Sequence, residues 1–525
     1  MSTPEKVPVL TTMYLSLPLL AFLFNFALDF SNAVPQNPRG PRSSVTSCLT
    51  SRQVPYSVKG SVNYSSLSTP FNLRLPYQPA VITIPSTLDQ VSYSVTCAAA
   101  AGLKVQAKGG GHSYASFSIG GQDGSLIIDM QTFSSITVDQ STFVAKIGAG
   151  QRLGNVALAL YAQGKRALPH GTCPGVGIAG QALHGGYGYG SRSWGLTLDR
   201  IVALDVVLAN GTQIHTTSTS YPDVFYAMRG AGNSFGIATY LYLSTVPAPT
   251  TVLSFSSDFS DSFHQVDIAA KGYAALQNFT LTSPAINSKL GFGVYIDTRG
   301  IIGLNGWCID CSMLNLKNVI LPGLISGFPG SKFTIQSYTW SQAVANIAGD
   351  PLSQPLGNAY TMHDTFYAKS IATRNSVPLS SAAIKNYLSY FVANEDGIPR
   401  IFSIMNLYGG PGSLINTPSP TSSAYSDRDS LWVIQNFART PNGKPPFDPS
   451  LVSLVQGASN AVTSAQPDGM FQGYINYIDP LLTATQAAEQ YYGAVTYSKL
   501  LGIKTKVDPG FLFWNPQAVG NSMAL

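Results

Sequence analysis

Hydrophobic and polar positions alternate in short runs through the first half of the chain. Leu103-Lys104-Val105-Gln106-Ala107 has the period of two that predicts a half-buried strand, and Ile237-Ala238-Thr239-Tyr240-Leu241-Tyr242-Leu243 is a second such run. Val202-Ala203-Leu204-Asp205-Val206-Val207-Leu208 leads into Asn210-Gly211, a pair that tolerates positive φ, and predicts a hairpin. After Pro247-Ala248-Pro249 the pattern changes. Leu290-Gly291-Phe292-Gly293-Val294-Tyr295-Ile296 and Leu431-Trp432-Val433-Ile434-Gln435 predict strands of a broad antiparallel sheet, with a helical stretch from Ser380 to Val392 between them. The expected class is α+β, divided at about 45–247 and 248–484, with a last segment, 485–525, that rejoins the first part. No heptad or fixed-period repeat interrupts this reading.

The N-terminus follows a different rule. Lys6 precedes an apolar segment from Met13 to Ala27, and Ser31-Asn32-Ala33 supplies a small-residue cleavage site. Asn25 and Asp29 break a segment already short for a membrane span, so residues 1–33 predict a signal peptide, and secretion rather than a membrane anchor is expected.

Composition agrees with two or three domains. The chain has 525 residues, of which 45% are hydrophobic, enough to fill large cores. Its formal charge of +5 comes from 30 basic against 25 acidic residues with no basic block, which argues against a nucleic-acid partner. Sequons at Asn63-Tyr64-Ser65, Asn210-Gly211-Thr212 and Asn278-Phe279-Thr280 suit a glycosylated secreted protein.

Candidate chemistry begins with glycine. Gly109-Gly110-Gly111-His112-Ser113-Tyr114 follows the first predicted strand, and three glycines in a row can turn several backbone N–H groups toward one anion. His112 then projects beside whatever is bound. The second cluster is His170-Gly171-Thr172-Cys173-Pro174-Gly175-Val176-Gly177. From Gly175 to Gly190, seven of sixteen positions are glycine, including Gly180, more than a loop needs merely to turn. A third, Arg229-Gly230-Ala231-Gly232-Asn233-Ser234-Phe235-Gly236, precedes the Ile237 strand. A dinucleotide held without a Rossmann turn is expected.

Five cysteines remain to be placed. Cys48 with Cys97 would pin the N-terminal segment to the first helix, and Cys308 with Cys311 would close a small loop. Cys173 is left over inside the second glycine motif, which calls for another bonding partner, a reactive role, or a buried free thiol. No second CxxC or histidine pair completes a metal site, and no metal is expected.

On these motifs the chain resembles the berberine-bridge-enzyme-like oxidases of the vanillyl-alcohol-oxidase flavoprotein superfamily, and within them the fungal gluco-oligosaccharide oxidases. Phe71 to Leu75 with Pro79 to Ile82, Leu196-Thr197-Leu198-Asp199, Asn476-Tyr477-Ile478-Asp479-Pro480, Tyr491-Tyr492-Gly493 and Val507 to Gln517 match as well. The family's asparagine soon after its YYG motif is replaced by Ala494-Val495-Thr496. The resemblance implies an FAD bound covalently through His112 to its 8α-methyl carbon and through Cys173 to its C6. It makes 45–247 the FAD-binding domain and 248–484 the substrate domain. Gly109, Gly110, Gly111, Ser113, Gly175, Val176, Gly177, Gly180, Gly232, Ile237 and Asn515 would line or hold the cofactor, and the small side chain of Val176 would favour O2 as electron acceptor.

The same resemblance supplies a chemistry. A flavin oxidase needs a base at the substrate hydroxyl while hydride leaves the carbon. The base maps to Tyr477, and the aspartate that assists it in the sugar oxidases maps to Asn406, whose amide accepts a hydrogen bond but cannot take up a proton. Tyr114, Tyr187, Gln435 and Phe402, standing where several sugar oxidases carry tryptophan, would face the substrate. The expected activity is oxidation of the anomeric hydroxyl of an oligosaccharide to a lactone, with O2 reduced to hydrogen peroxide, by a monomeric enzyme. The alternatives are a small secondary metabolite as substrate, or a silent scaffold. His170 and His184 are expected to bond backbone or cofactor, and His363-Asp364 to point to opposite sides of a strand.

Overall fold

Three sheets carry the site, and each follows from the runs above. The computed structural model describes residues 44–398 and 400–521, so the predicted signal segment lies outside the described residues. The first sheet has the order Tyr56–Ser57, Val81–Thr83, Leu126–Asp129, Val105–Lys108, and its last three strands are parallel. Val81–Thr83 and Leu126–Asp129 are buried at every position, as parallel strands covered on both faces must be. Helix Leu88–Ala101 supplies the crossover. Thr87 caps it by accepting from Gln90 N–H, and Gly102 ends it at φ 72°. Leu103 N–H still bonds Ala98 C=O at that helix end, which is why the strand starts two residues later than the alternation suggests. Cys97 in this helix is disulfide-bonded to Cys48 in a further helix, Val45–Ser51.

The second sheet is antiparallel: Ile136–Val138, Val144–Gly148, Ile237–Ser244, Ile201–Val207, Gln213–Thr216. Its last two strands form the predicted hairpin, with Gly211 at φ +83° and Asn210 Oδ1 accepting from Thr212 N–H.

The third sheet has seven antiparallel strands, in the order Phe333–Tyr338, Val252–Asp258, Ile302–Ile309, Leu290–Asp297, Ile401–Leu407, Ser430–Arg439, Phe366–Arg374. Helices Val266–Thr282, Ser381–Ala393 and Ser450–Thr463 pack with it into one core. Ser380 caps the second of these by accepting from Ala383 N–H. Along Ile401–Leu407 the core takes Ile401, Met405 and Leu407, and the strand's period of two turns Phe402, Ile404 and Asn406 to the other face. That face lines the cavity described below. Cys308 and Cys311 are disulfide-bonded where Ile302–Ile309 ends.

Helices Ala484–Tyr491 and Gly493–Val507 lead into a segment that reaches the first sheet through a parallel bridge between Phe513 and Val105. A buried ion pair fixes this return. Lys504 Nζ lies 2.7 Å from Asp508 Oδ2 and also donates to the carbonyls of Phe513 and Ser234, while Asp508 accepts the N–H groups of Leu512 and Phe513. Removing one member of such a pair strands the other charge. Asp508→Ala is therefore expected to cost about 3–5 kcal/mol, measured by denaturant unfolding.

Candidate functional site

The strand Val105–Lys108 delivers Gly109-Gly110-Gly111-His112 to one wall of a cavity of about 550 Å³. The second glycine motif meets it back to back. A Cβ built on Gly110 would lie 2.4 Å from Gly177 N, and one built on Gly177 would lie 2.3 Å from Gly110 N, so neither loop can carry a side chain there. Buried Arg152 joins the same two loops through hydrogen bonds to the carbonyls of Gly110 and Gly175, and reaches Pro355 C=O through Nε. At Gly180 an added Cβ would meet nothing within 4 Å. Glycine here does two jobs: some positions let backbone touch backbone, and Gly180 leaves the cavity wall flat.

The cavity brings together Gly109, Gly110, Gly111, His112, Ser113, Tyr114, Cys173, Val176, Gly177, Gly180, Tyr187, Gly232, Ile237, Phe402, Asn406, Gln435 and Tyr477. Two expected cofactor residues stand elsewhere. Gly175 packs against Tyr360, whose hydroxyl would be 2.1 Å from a Cβ. Asn515 is fully buried and caps its own turn by accepting from Gln517 N–H. Leu196 to Asp199, matched to the cleft wall, form a layer behind it: Thr197 Oγ1 donates to Pro169 C=O and Gly186 C=O, and Asp199 pairs with Arg428 at 2.7 Å. His363 and Asp364 lie in a loop before strand Phe366–Arg374 rather than on a strand. His363 Nδ1 bonds Pro70 C=O, and Asp364 alone of the two lines the cavity.

Electrostatics separate the candidate nucleophiles. His112 Nε2 is 2.7 Å from the Tyr360 hydroxyl, and Phe71 stacks on the imidazole at 4.0 Å. Burial, with Arg152 and His363 behind it, pushes the imidazole pKa down to about 3, so His112 is neutral. Cys173 is the free cysteine among the described residues. Its thiol is open to the cavity, yet desolvation by the walls raises its pKa, opposed by a bond from Thr172. His170 and His184 bond the carbonyls of Gly171 and Gly180 through Nδ1, and burial lowers both pKa values.

Beside them the cavity wall is phenolic. Tyr477 stacks on Tyr114 at 5.8 Å and meets Tyr474 edge-on at 5.0 Å. Gln435 Nε2 donates to the Tyr114 hydroxyl at 2.9 Å. The Tyr474 hydroxyl accepts the N–H groups of Gly186 and Tyr187 and an N–H of Asn476, which fixes the start of the loop that carries Tyr477. Tyr187 stacks on Tyr408 at 4.1 Å and donates to Leu407 C=O, so it is both packing and cavity wall. Desolvation, then the neighbouring Tyr114, Tyr474 and Tyr187, raises the Tyr477 pKa well above its ordinary value. Among the described hydrogen bonds none joins Tyr477 to Asn406, although both line the cavity.

Arg152 and Tyr360 carried no sequence signal and reach the two glycine loops from distant points of the chain, while Phe71, stacked on His112, lay in a matched segment without an assigned role. Ile404, between Phe402 and Asn406, was accessible to a period-two count.

Comparison with known proteins places this geometry. A model described as "FAD binding domain" matches residues 79–217, and one described as "Berberine and berberine like" matches 473–520. The xylooligosaccharide oxidase of Thermothelomyces thermophilus is 34% identical over 493 residues, 92% of this chain and 95% of that one. The chain belongs to the berberine-bridge-enzyme-like family of FAD-linked oxidoreductases. Another relative is the FAD-linked oxidoreductase dpmaF of Metarhizium anisopliae, 34% identical with 96% of each chain covered. The glucooligosaccharide oxidase of Acremonium strictum, solved in a study of its 6-S-cysteinyl, 8α-N1-histidyl FAD, superposes with a TM-score of 0.84 at 30% identity, covering 91% of this chain and 99% of that one.

As a member of this family the protein is an FAD-dependent enzyme, and its cavity fits that cofactor. A neutral imidazole and a free thiol stand on one wall, Gly180 leaves that wall flat, and Gln181, another lining residue, has a buried Oε1 without a hydrogen-bond partner. FAD brings donors for such an atom and a flat ring for such a wall. No helix of the described residues is long and apolar enough to cross a membrane.

Proposed function

We propose that the protein is a secreted oxidase that converts the anomeric C1 hydroxyl of an oligosaccharide to the lactone and reduces O2 to hydrogen peroxide. The observation that carries this reading is the meeting in one cavity of two candidate flavin attachment points, His112 and Cys173, with a tyrosine pair, Tyr114 and Tyr477, flanked by Gln435 and Asn406. Residues 45–247 hold the FAD, 248–484 present the substrate, and 485–525 return to the first part. The 1–33 leader, two disulfides and exposed sequon asparagines at 63, 210 and 278 support export. The protein acts as a monomer.

In this reading Tyr477 Oη receives the proton of the C1 hydroxyl. An FAD held at His112 and Cys173 would supply the hydride acceptor for C1 and the route of its two electrons to O2. Burial beside Tyr114, Tyr474 and Tyr187 keeps Tyr477 protonated in the resting chain, so its own proton passes to solvent water as the substrate's arrives and is recovered when O2 becomes hydrogen peroxide. Asn406 orients the hydroxyl through its amide, and Gln435 holds Tyr114 in place as a wall against the sugar. Phe402 offers a stacking face to a pyranose ring. The relatives named for xylo- and gluco-oligosaccharides support the sugar.

A second reading keeps fold and cofactor but takes a small apolar alcohol or amine. Phe402, Ile404 and Phe437 give the sheet side of the cavity an apolar wall, Asn406 cannot accept a proton, and a 34% identical relative is named only as an FAD-linked oxidoreductase. Anaerobic mixing of the holoenzyme with cello-, xylo- and chito-oligosaccharides separates the two. The sugar reading expects flavin bleaching by at least one series and, in air, one peroxide per lactone. Bleaching only by apolar alcohols or amines favours the second reading, and a loaded flavin that nothing bleaches leaves a silent scaffold.

A further inference from the structure

Tyr360 touches both glycine motifs from the far side of the sequence. It lies in the loop between helix Trp340–Ala348 and strand Phe366–Arg374. Its hydroxyl is 2.7 Å from His112 Nε2, its ring is tilted against the imidazole at 5.3 Å, and the Arg152 guanidinium lies 3.6 Å from its ring centroid. It also fills the space beside Gly175, two residues after Cys173. Phe71 covers a face of the imidazole. The ring of His112 is therefore held by its face and by one edge, and Nε2 is engaged.

We infer that Tyr360 is a positioning residue for cofactor attachment: by holding His112 Nε2 it makes Nδ1 the nitrogen that bonds the flavin. This rests on the proposed tether at His112. Both partners are neutral near pH 7, since burial pushes the phenol up to about 12 and the imidazole down to about 3. A neutral imidazole carries a single N–H. When Nε2–H donates to the Tyr360 oxygen, Nδ1 presents its lone pair. Once Nδ1 is bonded to carbon, Nε2 has lost its proton and accepts from the Tyr360 O–H instead. A hydroxyl serves both states because it is donor and acceptor; phenylalanine serves neither.

The bond forms between Nδ1 and the 8α carbon. That carbon gives up one hydrogen and the imidazole gives up one proton. Both hydrogens and the two electrons pass to the flavin ring, and O2 removes them as hydrogen peroxide.

The test is Tyr360→Phe, which keeps the ring over Arg152 and beside Gly175. Peptide mass spectrometry of the purified holoenzyme reads flavin on His112 and on Cys173 separately, and thermal unfolding reads the fold. The expected result is a fall in His112 attachment of at least about tenfold, with Cys173 attachment and the melting temperature as in the wild type. Unchanged attachment at His112 overturns the role, and so does a parallel loss at both residues, which would mark Tyr360 as packing. A wild-type enzyme without flavin on His112 overturns the tether itself. The double variant Tyr360→Phe, Cys173→Ala, expected to release its flavin in acid, keeps the outcome readable where Cys173 attachment proves slow.

Discussion

Tyr477→Phe will lower the rate of flavin reduction by substrate by about 10²–10⁴-fold, the range for loss of a positioned general base, while leaving flavin attachment unchanged. Phenylalanine keeps the stacking on Tyr114 and the edge contact with Tyr474, so the cavity wall stays and only the hydroxyl goes. Burial raises the Tyr477 pKa, so the protonated phenol dominates at neutral pH. The sign of the pH dependence follows. A base is competent when deprotonated, so the wild-type rate rises as pH increases toward that raised pKa, and the variant loses this rise. Stopped-flow reduction across pH measures both effects. A variant that keeps the wild-type rate and profile removes Tyr477 from the proton's path.

Gly177→Ala will cost both fold and cofactor. The added Cβ falls 2.3 Å from Gly110 N, and Gly110 cannot retreat because its carbonyl is bonded to Arg152 and Gly177 also accepts Gln181 N–H. Overpacking of this kind costs about 1–3 kcal/mol where side chains can give; here both partners are backbone. The expected result is a lower melting temperature and little bound flavin. Gly180→Ala is the contrast. Its Cβ meets no protein atom within 4 Å, and alanine suits helix Ile178–Ala182, so the fold stays while a methyl enters the cavity and flavin content drops. Equal melting losses in the two variants would contradict this division.

Much of the fold was legible because its signals are local. The Asn210-Gly211 hairpin, the Ser380-capped helix and the alternating strands of the large sheet need only neighbours in sequence to declare themselves. The odd Cys173 and the two glycine motifs were legible for the same reason. What the sequence hid is held across distance. Tyr360 meets His112 over 248 residues, and Arg152 reaches Pro355 over 203, with no periodicity to mark either. Gly175 and Asn515 were assigned to the cofactor by motif; the glycine makes room for Tyr360, and the asparagine closes its own turn through Oδ1 while its buried Nδ2 has no partner among the described residues. His363-Asp364 was read as lying on a strand, but the chain there is still loop, paired to Asn72 by a single bridge at Asp364.

The central claim is that His112 and Cys173 both hold the flavin in the cavity that also contains Tyr477. Acid denaturation of the purified protein, followed by peptide mass spectrometry, tests it most directly. The account predicts flavin that stays with the chain and is found on the His112 and Cys173 peptides. Flavin released into the supernatant, or recovered on neither peptide, would contradict it.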